Sequence, residues 1–124
     1  MRKNNTELSD AELEIMNVIW DSRGEISSAE ILKSEVCRDW KRTTVSTFLS
    51  RLVEKGAVNV RKEGAVCLYS ALLDRSEYRQ KKTDSFIKSF YSGSAKQLAI
   101  SLLGSKKLSK EDIDELRKMF LEEE

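Results

Sequence analysis

The sequence contains no histidine and only two cysteines, Cys37 and Cys67, in 124 residues. A tetrahedral zinc site takes four Cys or His ligands at characteristic spacings, and these two cysteines lie far apart without a C-x-x-C pair. We therefore expect no metal site and no cofactor. The two thiols fit either of two roles, small buried side chains or redox sensors.

Long apolar runs are also missing. No stretch approaches the ~18 residues that cross a membrane. Acidic residues interrupt the first 20 positions, where a signal peptide would carry its apolar segment. We therefore expect a cytoplasmic protein that makes no membrane contact.

The groups that usually carry catalysis are scarce as well. The chain has no phosphate-cradling glycine loop and no nucleophile beside a suitable base, and its carboxylates fall on stripes predicted to face solvent. We therefore expect no enzymatic activity. A hydrophobic content of 40% with 35% charged residues instead fits a folded, helix-rich domain, with or without an oligomerisation segment.

Charge is unevenly distributed behind a formal net charge of +1. Residues 7–35 hold eight acids against two bases, whereas residues 36–62 hold seven bases against two acids. Residues 74–107 are basic again, and residues 108–124 are acidic. The segment 36–62 is the candidate anion-binding surface, although charge runs are also typical of ordinary solvated faces.

Two capping boxes mark the first two helices. Ser9 with Glu12 predicts a helix over about residues 10–22, which the pair Arg23-Gly24 would end. Ser27 with Glu30 follows a short extended stretch and predicts a second helix over roughly residues 28–37. Both segments carry an apolar stripe at helical spacing.

A third helix and a hairpin follow. Thr43 and Thr44 are predicted N-cap residues, and Lys55-Gly56 is the predicted end. One face of this helix is apolar, and the other carries Thr44, Ser46, Thr47, Ser50 and Arg51. Alternating β-branched residues on both sides of Glu63-Gly64 predict a β-hairpin.

The last part of the chain predicts three amphipathic helices without a sheet. So short a segment buries three apolar stripes more easily when two chains share them, so we predict a homodimer. The predicted division is a domain of three helices and a hairpin at residues 1–73 and a dimerisation domain at residues 74–124. The candidate dimerisation residues are Phe86, Phe90, Leu98, Leu102, Ile113, Leu116 and Phe120.

Three helices followed by a hairpin are the order of a winged helix-turn-helix, in which the third helix enters the DNA major groove. Thr44, Thr47 and Arg51 share one solvent face of that helix and could reach base edges or phosphates. The flanking bases Lys41, Arg42, Arg61 and Lys62 are candidate phosphate contacts. The alternative is an exposed polar face without a ligand. Trp40 fits either of two roles, an aromatic contact to a ligand or a core plug, that is, a large side chain that fills the core.

Several segments identify a family. The chain resembles the penicillinase and methicillin-resistance repressors, the BlaI/MecI family, in LSDAELEIMNVIW at 8–20, DW at 39–40, TTVST at 43–47, RLVEKG at 51–56 and LSKEDIDEL at 108–116. The resemblance implies a mainly α, dimeric winged-helix repressor that binds a palindromic operator and blocks transcription of resistance genes. It implies DNA contacts from Thr43, Thr44, Ser46, Thr47 and Arg51, with the wing gripping backbone near Arg61 and Lys62.

The resemblance also implies a mode of inactivation. Family members are cut in their fifth helix by a sensor-coupled protease, and the matching bond here is Ser101-Leu102. A neighbouring copper-responsive branch adds a C-x-C tail, which this sequence lacks, so copper sensing is not expected. The remaining alternatives are a repressor of an unrelated regulon and a winged-helix protein-interaction module. The latter would place an aromatic or aliphatic anchor on the third helix, where none is found.

Overall fold

The computed structural model describes residues 6–123 and confirms a mainly α winged helix-turn-helix with three further helices. The helices are α1 Asp10–Ser22, α2 Ser28–Leu32, α3 Arg42–Glu54, α4 Arg75–Tyr91, α5 Ala95–Gly104 and α6 Lys110–Glu123. The strands are β1 Ile26–Ser27, β2 Val58–Glu63 and β3 Val66–Ala71. One compact unit ends at Tyr78 and a second begins at Arg79. That division falls inside α4, and the sequence-based boundary in front of α4 stays a prediction.

Helix α1 begins at the predicted capping box. The Ser9 hydroxyl accepts from the Glu12 N–H at 3.2 Å, and the Glu12 carboxylate accepts from the Ser9 N–H at 2.8 Å. Arg23, in the left-handed conformation with φ 59°, ends the helix. The predicted bounds are therefore confirmed. They could be predicted because every hydrogen-bonding group involved lies within three residues of its partner.

Helix α2 is shorter than predicted. It begins at the Ser27 capping box but ends at Leu32, and a single 3₁₀ turn at Glu35–Cys37 replaces its last part. The Ser34 hydroxyl donates to the Ile31 carbonyl at 2.7 Å, and the Ser34 N–H donates to the same oxygen at 3.1 Å. These tighter bonds draw the chain out of the α-helix, because serine competes for backbone acceptors.

Helix α3 begins earlier than predicted, and the N-cap assignment of Thr43 and Thr44 is wrong. Lys41 is the N-cap, with an extended backbone and no side-chain cap, and its carbonyl accepts from the Val45 N–H at 3.1 Å. Both threonines therefore lie in the first turn, where their side chains are exposed. The predicted end is confirmed, since Gly56 has φ 80° directly after the C-cap Lys55.

The three strands form an antiparallel sheet in the order β1-β3-β2. The hairpin is confirmed, with Glu63 opposite Val66 and Gly64 in its two-residue loop at φ 65°. The short β1 pairs with the other side of β3, so that Ser27 lies opposite Leu68. The hairpin is thereby tied to the segment between α1 and α2.

The core lies among α1, α2, α3 and the sheet. Its buried apolar residues are Leu8, Ile15, Met16, Ile19, Ile31, Cys37, Val45, Leu49, Leu52, Ala57, Val58 and Tyr78. Trp40 packs against this core, and its ring centroid lies 5.8 Å from that of Phe48. The core-plug interpretation of Trp40 is therefore confirmed. Cys37 is buried as a small core residue, whereas Cys67 is only half-buried.

The second unit has no core of its own. Within residues 79–122, no side chain is buried. Phe86 and Phe90 stack on each other at 4.8 Å between ring centroids, yet they are 45% and 71% exposed. The apolar side chains of this unit are therefore not covered within a single chain, because three helices with so few large side chains cannot enclose a core.

Candidate nucleic-acid interface

Helix α3 has one buried face and one exposed face. Val45, Leu49 and Leu52 are buried against the core. The outward face consists of exposed side chains, namely Arg42, Thr43, Thr44, Ser46, Thr47, Ser50 and Arg51. The structure thus brings together on one surface all the predicted contact residues of this helix.

The outward face is built from short polar groups around two arginines. Thr47 donates its hydroxyl to the Thr43 carbonyl at 3.0 Å, which fixes its rotamer. Arg51 places its guanidinium 5.6 Å from the ring centroid of Phe48. In the part of the chain that the structure describes, neither Arg42 nor Arg51 has an ion-pair partner. Two permanent positive charges therefore remain available for an external anion.

Phe48 has a role that the sequence analysis missed. Its ring centroid lies 5.8 Å from that of Trp40 and 5.6 Å from the Arg51 guanidinium. A guanidinium stacks on an aromatic face by cation–π attraction, which restricts the flexible arginine stem. Core packing of Trp40 and Phe48 therefore helps to orient the cation on the outward face.

The end of α3 is anchored to the start of α1 by a second missed contact. Lys55 donates to the buried Glu12 carboxylate at 2.5 Å and to the Glu7 carbonyl at 2.7 Å. Burial of the Glu12 carboxyl raises its pKa, whereas hydrogen bonds from Lys55 and Ser9 and the charge of Lys55 lower it. The lowering effects together outweigh the effect of burial, so the pKa lies below its usual 4.5. No sequence signal couples residues this far apart.

The two bases of the wing, Arg61 and Lys62, lie on opposite faces of the hairpin. Lys62 pairs in register with Cys67, whose face also carries Tyr69. Cys67 and Tyr69 line a cavity of about 230 Å³ together with residues of α2 and α3, so this face is turned towards α3. Lys62 makes no ion pair with any of residues 6–123.

Arg61 is engaged on the other face. Its Nε and Nη2 atoms donate to the two carboxylate oxygens of Glu25 at 2.6 and 2.8 Å, and Glu63 lies 3.6 Å away. The hydrogen bond from Arg61 lowers the pKa of Glu25, and the Glu25 carboxylate raises that of Arg61. Two adjacent bases that look equivalent in the sequence therefore differ in their surroundings.

Neither a metal centre nor a membrane segment emerges from residues 6–123. No group of three or more metal-ligating side chains is gathered there. None of the helices in that range is both long and apolar enough to cross a bilayer. The residues that stand out remain those of α3 and the wing.

A three-helix core, an exposed basic third helix and an adjacent hairpin together define the winged helix-turn-helix class. The family model described as penicillinase repressor matches residues 8–122. The chain belongs to the penicillinase repressor family.

Individual relatives agree with this assignment. The penicillinase repressor of Bacillus licheniformis is 40% identical over 111 residues, covering 89% of this chain and 86% of that protein. The methicillin resistance regulatory protein MecI of Mammaliicoccus sciuri is 32% identical over 111 residues, covering 90% of each chain. These relatives are regulators and not enzymes.

The winged-helix part also has a solved counterpart. The solution structure of the DNA binding domain of the repressor BlaI matches with a TM-score of 0.52 and 42% sequence identity. The match covers 59% of this chain and 89% of that one.

Proposed function

We propose that this protein is a homodimeric transcriptional repressor that binds a palindromic DNA operator and blocks transcription of β-lactam-resistance genes. The observation that carries the proposal is the outward face of α3, where Arg42 and Arg51 are exposed and have no ion-pair partner among residues 6–123, in a chain that belongs to a repressor family. A protein-binding helix would carry an apolar anchor on this face, and the exposed residues there are short and polar or basic.

Each residue of the interface has a proposed role. Thr44, Thr47 and Arg51 reach base edges or phosphates in the major groove, because they recur along one face of α3. The remaining α3 contacts, which hold the register on the phosphate backbone, come from Arg42, Thr43 and Ser46. Lys62 does the same from the wing. Arg61 can contact phosphate only if its guanidinium leaves Glu25.

The second unit supplies the dimer interface. Residues of α5, of α6 and of the loop between them line an open apolar cavity of about 400 Å³, namely Ala99, Leu102, Leu103, Leu108, Ile113, Leu116, Arg117 and Phe120. Side chains of this kind that stay exposed in one chain are typical of an interface between subunits. The proposed interface consists of Phe86, Phe90, Leu98, Leu102, Ile113, Leu116 and Phe120.

We further propose that proteolysis between Ser101 and Leu102 inactivates the repressor. Both residues are exposed, and both lie inside α5. An α-helix does not fit an extended protease cleft, so α5 must open locally before cleavage. Loss of the α5 stripe would remove Leu102 from the dimer interface and release the operator. The partner is a sensor-coupled protease.

The test is selection of duplexes from a random pool by the full-length chain, followed by titration of the selected duplex at several salt concentrations. We expect a two-fold symmetric site whose half-sites lie about one helical turn, or a multiple of it, apart. With roughly six to ten phosphates neutralised, affinity should fall by ~10³ to 10⁵ between about 50 and 200 mM salt. A salt-insensitive complex, or no enriched site, contradicts the proposal.

Arg51→Ala isolates the role of α3 in the same assay. Binding should weaken by about 1 to 3 kcal/mol per subunit with relaxed sequence preference if Arg51 reads a base. Equal loss on selected and random duplex would make Arg51 a phosphate contact. Arg38→Ala is the matched control, since Arg38 lies outside α3 and already pairs with Glu35 at 3.3 Å.

A further inference from the structure

Arg61 and Glu25 meet across the middle strand of the sheet. Leu68 of β3 pairs with Arg61 of β2 on one side and with Ser27 of β1 on the other, so these three residues form one row. Glu25 directly precedes β1, and its two hydrogen bonds with Arg61 place its carboxylate on the same face of the sheet as Arg61. The Arg61 side chain therefore crosses β3 to reach the Glu25 carboxylate.

The contact occupies the part of the guanidinium that binds anions best. A guanidinium offers parallel N–H groups that match the two oxygens of either a carboxylate or a phosphate. Glu25 uses two of these groups, through Nε and Nη2, and Glu63 approaches Nη2 at 3.6 Å. A DNA phosphate that takes these two N–H groups must therefore compete with Glu25 for them, whereas Lys62 on the other face has no ion-pair partner among residues 6–123.

We propose that Glu25 acts as an internal substitute for phosphate, holding Arg61 away from the DNA backbone and thereby limiting the affinity of the wing. The inference rests on the proposed function. In the wild-type complex, Lys62 is the wing residue that contacts phosphate, and Arg61 stays paired with Glu25. Removal of the Glu25 charge releases Arg61 to make one further phosphate contact in each subunit.

A double-mutant cycle tests this pairing. The full-length chain, Glu25→Gln, Arg61→Gln and the double variant are titrated with a duplex selected by the wild type and with a random duplex of the same length. Glu35→Gln is the matched control, because it also removes a carboxylate paired with an arginine, but outside the wing. Thermal unfolding of each variant confirms that it folds, and Glu25→Ala is a second way to remove the carboxylate.

The expected result is specific to the pair. Glu25→Gln tightens binding to both duplexes by roughly three- to tenfold per subunit near ~0.1 M salt, and it steepens the logarithmic salt dependence by about 0.9 per subunit, as one added phosphate contact requires. Arg61→Gln alone leaves affinity and salt dependence close to wild type. The double variant binds no more tightly than Arg61→Gln, although it carries one negative charge fewer, which separates release of Arg61 from the loss of one negative charge.

Three results overturn the inference. Unchanged or weaker binding by Glu25→Gln shows that the pair holds the wing in place instead. Weaker, less salt-dependent binding by Arg61→Gln alone shows that Arg61 already contacts DNA. The same gain from Glu35→Gln, or from adding Glu25→Gln to Arg61→Gln, shows a general charge effect. If the wild type binds no duplex, the proposed function fails, and this inference fails with it.

Discussion

Glu12 performs two tasks with one carboxylate. It completes the capping box of α1 and also pairs with Lys55 at the end of α3, so the start of one helix holds the end of the other. The carboxylate is buried, and Lys55 is only partly exposed. Because breaking such a pair leaves a charge without its partner in the interior, this contact matters more than the surface pairs of the chain.

Glu12→Gln should therefore destabilise the fold. Glutamine can still accept from the Ser9 N–H, so the capping box persists while the ion pair is lost. We expect the free energy of unfolding at neutral pH to fall by about 1 to 2 kcal/mol. Urea unfolding at one fixed protein concentration measures it, with Glu14→Gln on the exposed side of α1 as the control. An equal loss in the control would contradict this role.

The same contact makes stability depend on pH in a defined direction. The pKa of Glu12 lies below its usual 4.5 in the folded protein. The unfolded chain therefore binds the proton more readily, and the stabilisation is complete above about pH 4.5 and lost as the pH falls through the folded value. Glu12→Gln should lose less stability than the wild type over this acidic range. Parallel losses would show that other carboxylates dominate.

At the scale of the elements, local sequence signals predicted which segments are helical more accurately than they predicted where each helix begins or ends. Capping boxes fixed the starts of α1 and α2 because their bonds join residues three positions apart. The early end of α2 and the early start of α3 were missed. The early end of α2 depends on the bonds from the Ser34 hydroxyl and N–H to the Ile31 carbonyl. The early start of α3 depends on the bond that the Lys41 carbonyl accepts from the Val45 N–H.

The junction between α3 and the wing depends on Gly56. Its φ is 80°, and a Cβ at this position would meet no atom within 4 Å, so only the backbone conformation opposes a side chain. Gly56→Ala should lower the free energy of unfolding by about 1 to 2 kcal/mol, the cost of the left-handed conformation. Denaturant unfolding of the full chain measures the change.

Gly104→Ala is the matched control for this junction. Gly104 ends α5 with equally open space around its missing Cβ and without a positive φ. Alanine there should leave stability unchanged or raise it by up to about 1 kcal/mol, because alanine favours helix. Similar losses at both glycines would exclude the backbone explanation for Gly56.

At the scale of the whole molecule, the absence of buried residues over residues 79–122 makes association the main question. Phe120 is 66% exposed in a single chain and lines the apolar cavity of α5 and α6. Phe120→Glu should convert the proposed dimer to a monomer, because a charge would have to be buried at the interface. Sedimentation velocity at micromolar protein concentration measures the change.

Operator binding should follow the oligomeric state. Two linked DNA-binding domains bind a palindrome more tightly than one domain alone, by up to ~10² to 10⁴-fold. The Phe120→Glu monomer should therefore lose this gain in affinity. Lys118→Glu is the control, since it places a glutamate at an exposed polar position of the same helix. A Phe120→Glu variant that stays dimeric would place the interface elsewhere on the second unit.

The sequence by itself determined the helix order, the hairpin, the outward face of α3 and the family, because these depend on residues close together in the chain and on the period of the apolar pattern. Only the tertiary structure decided that Lys55 holds Glu12 and that Arg61 holds Glu25, pairs separated by 43 and 36 positions. Those contacts depend on how α1, α3 and the sheet pack. Long charged side chains can reach many partners, and only packing selects one of them.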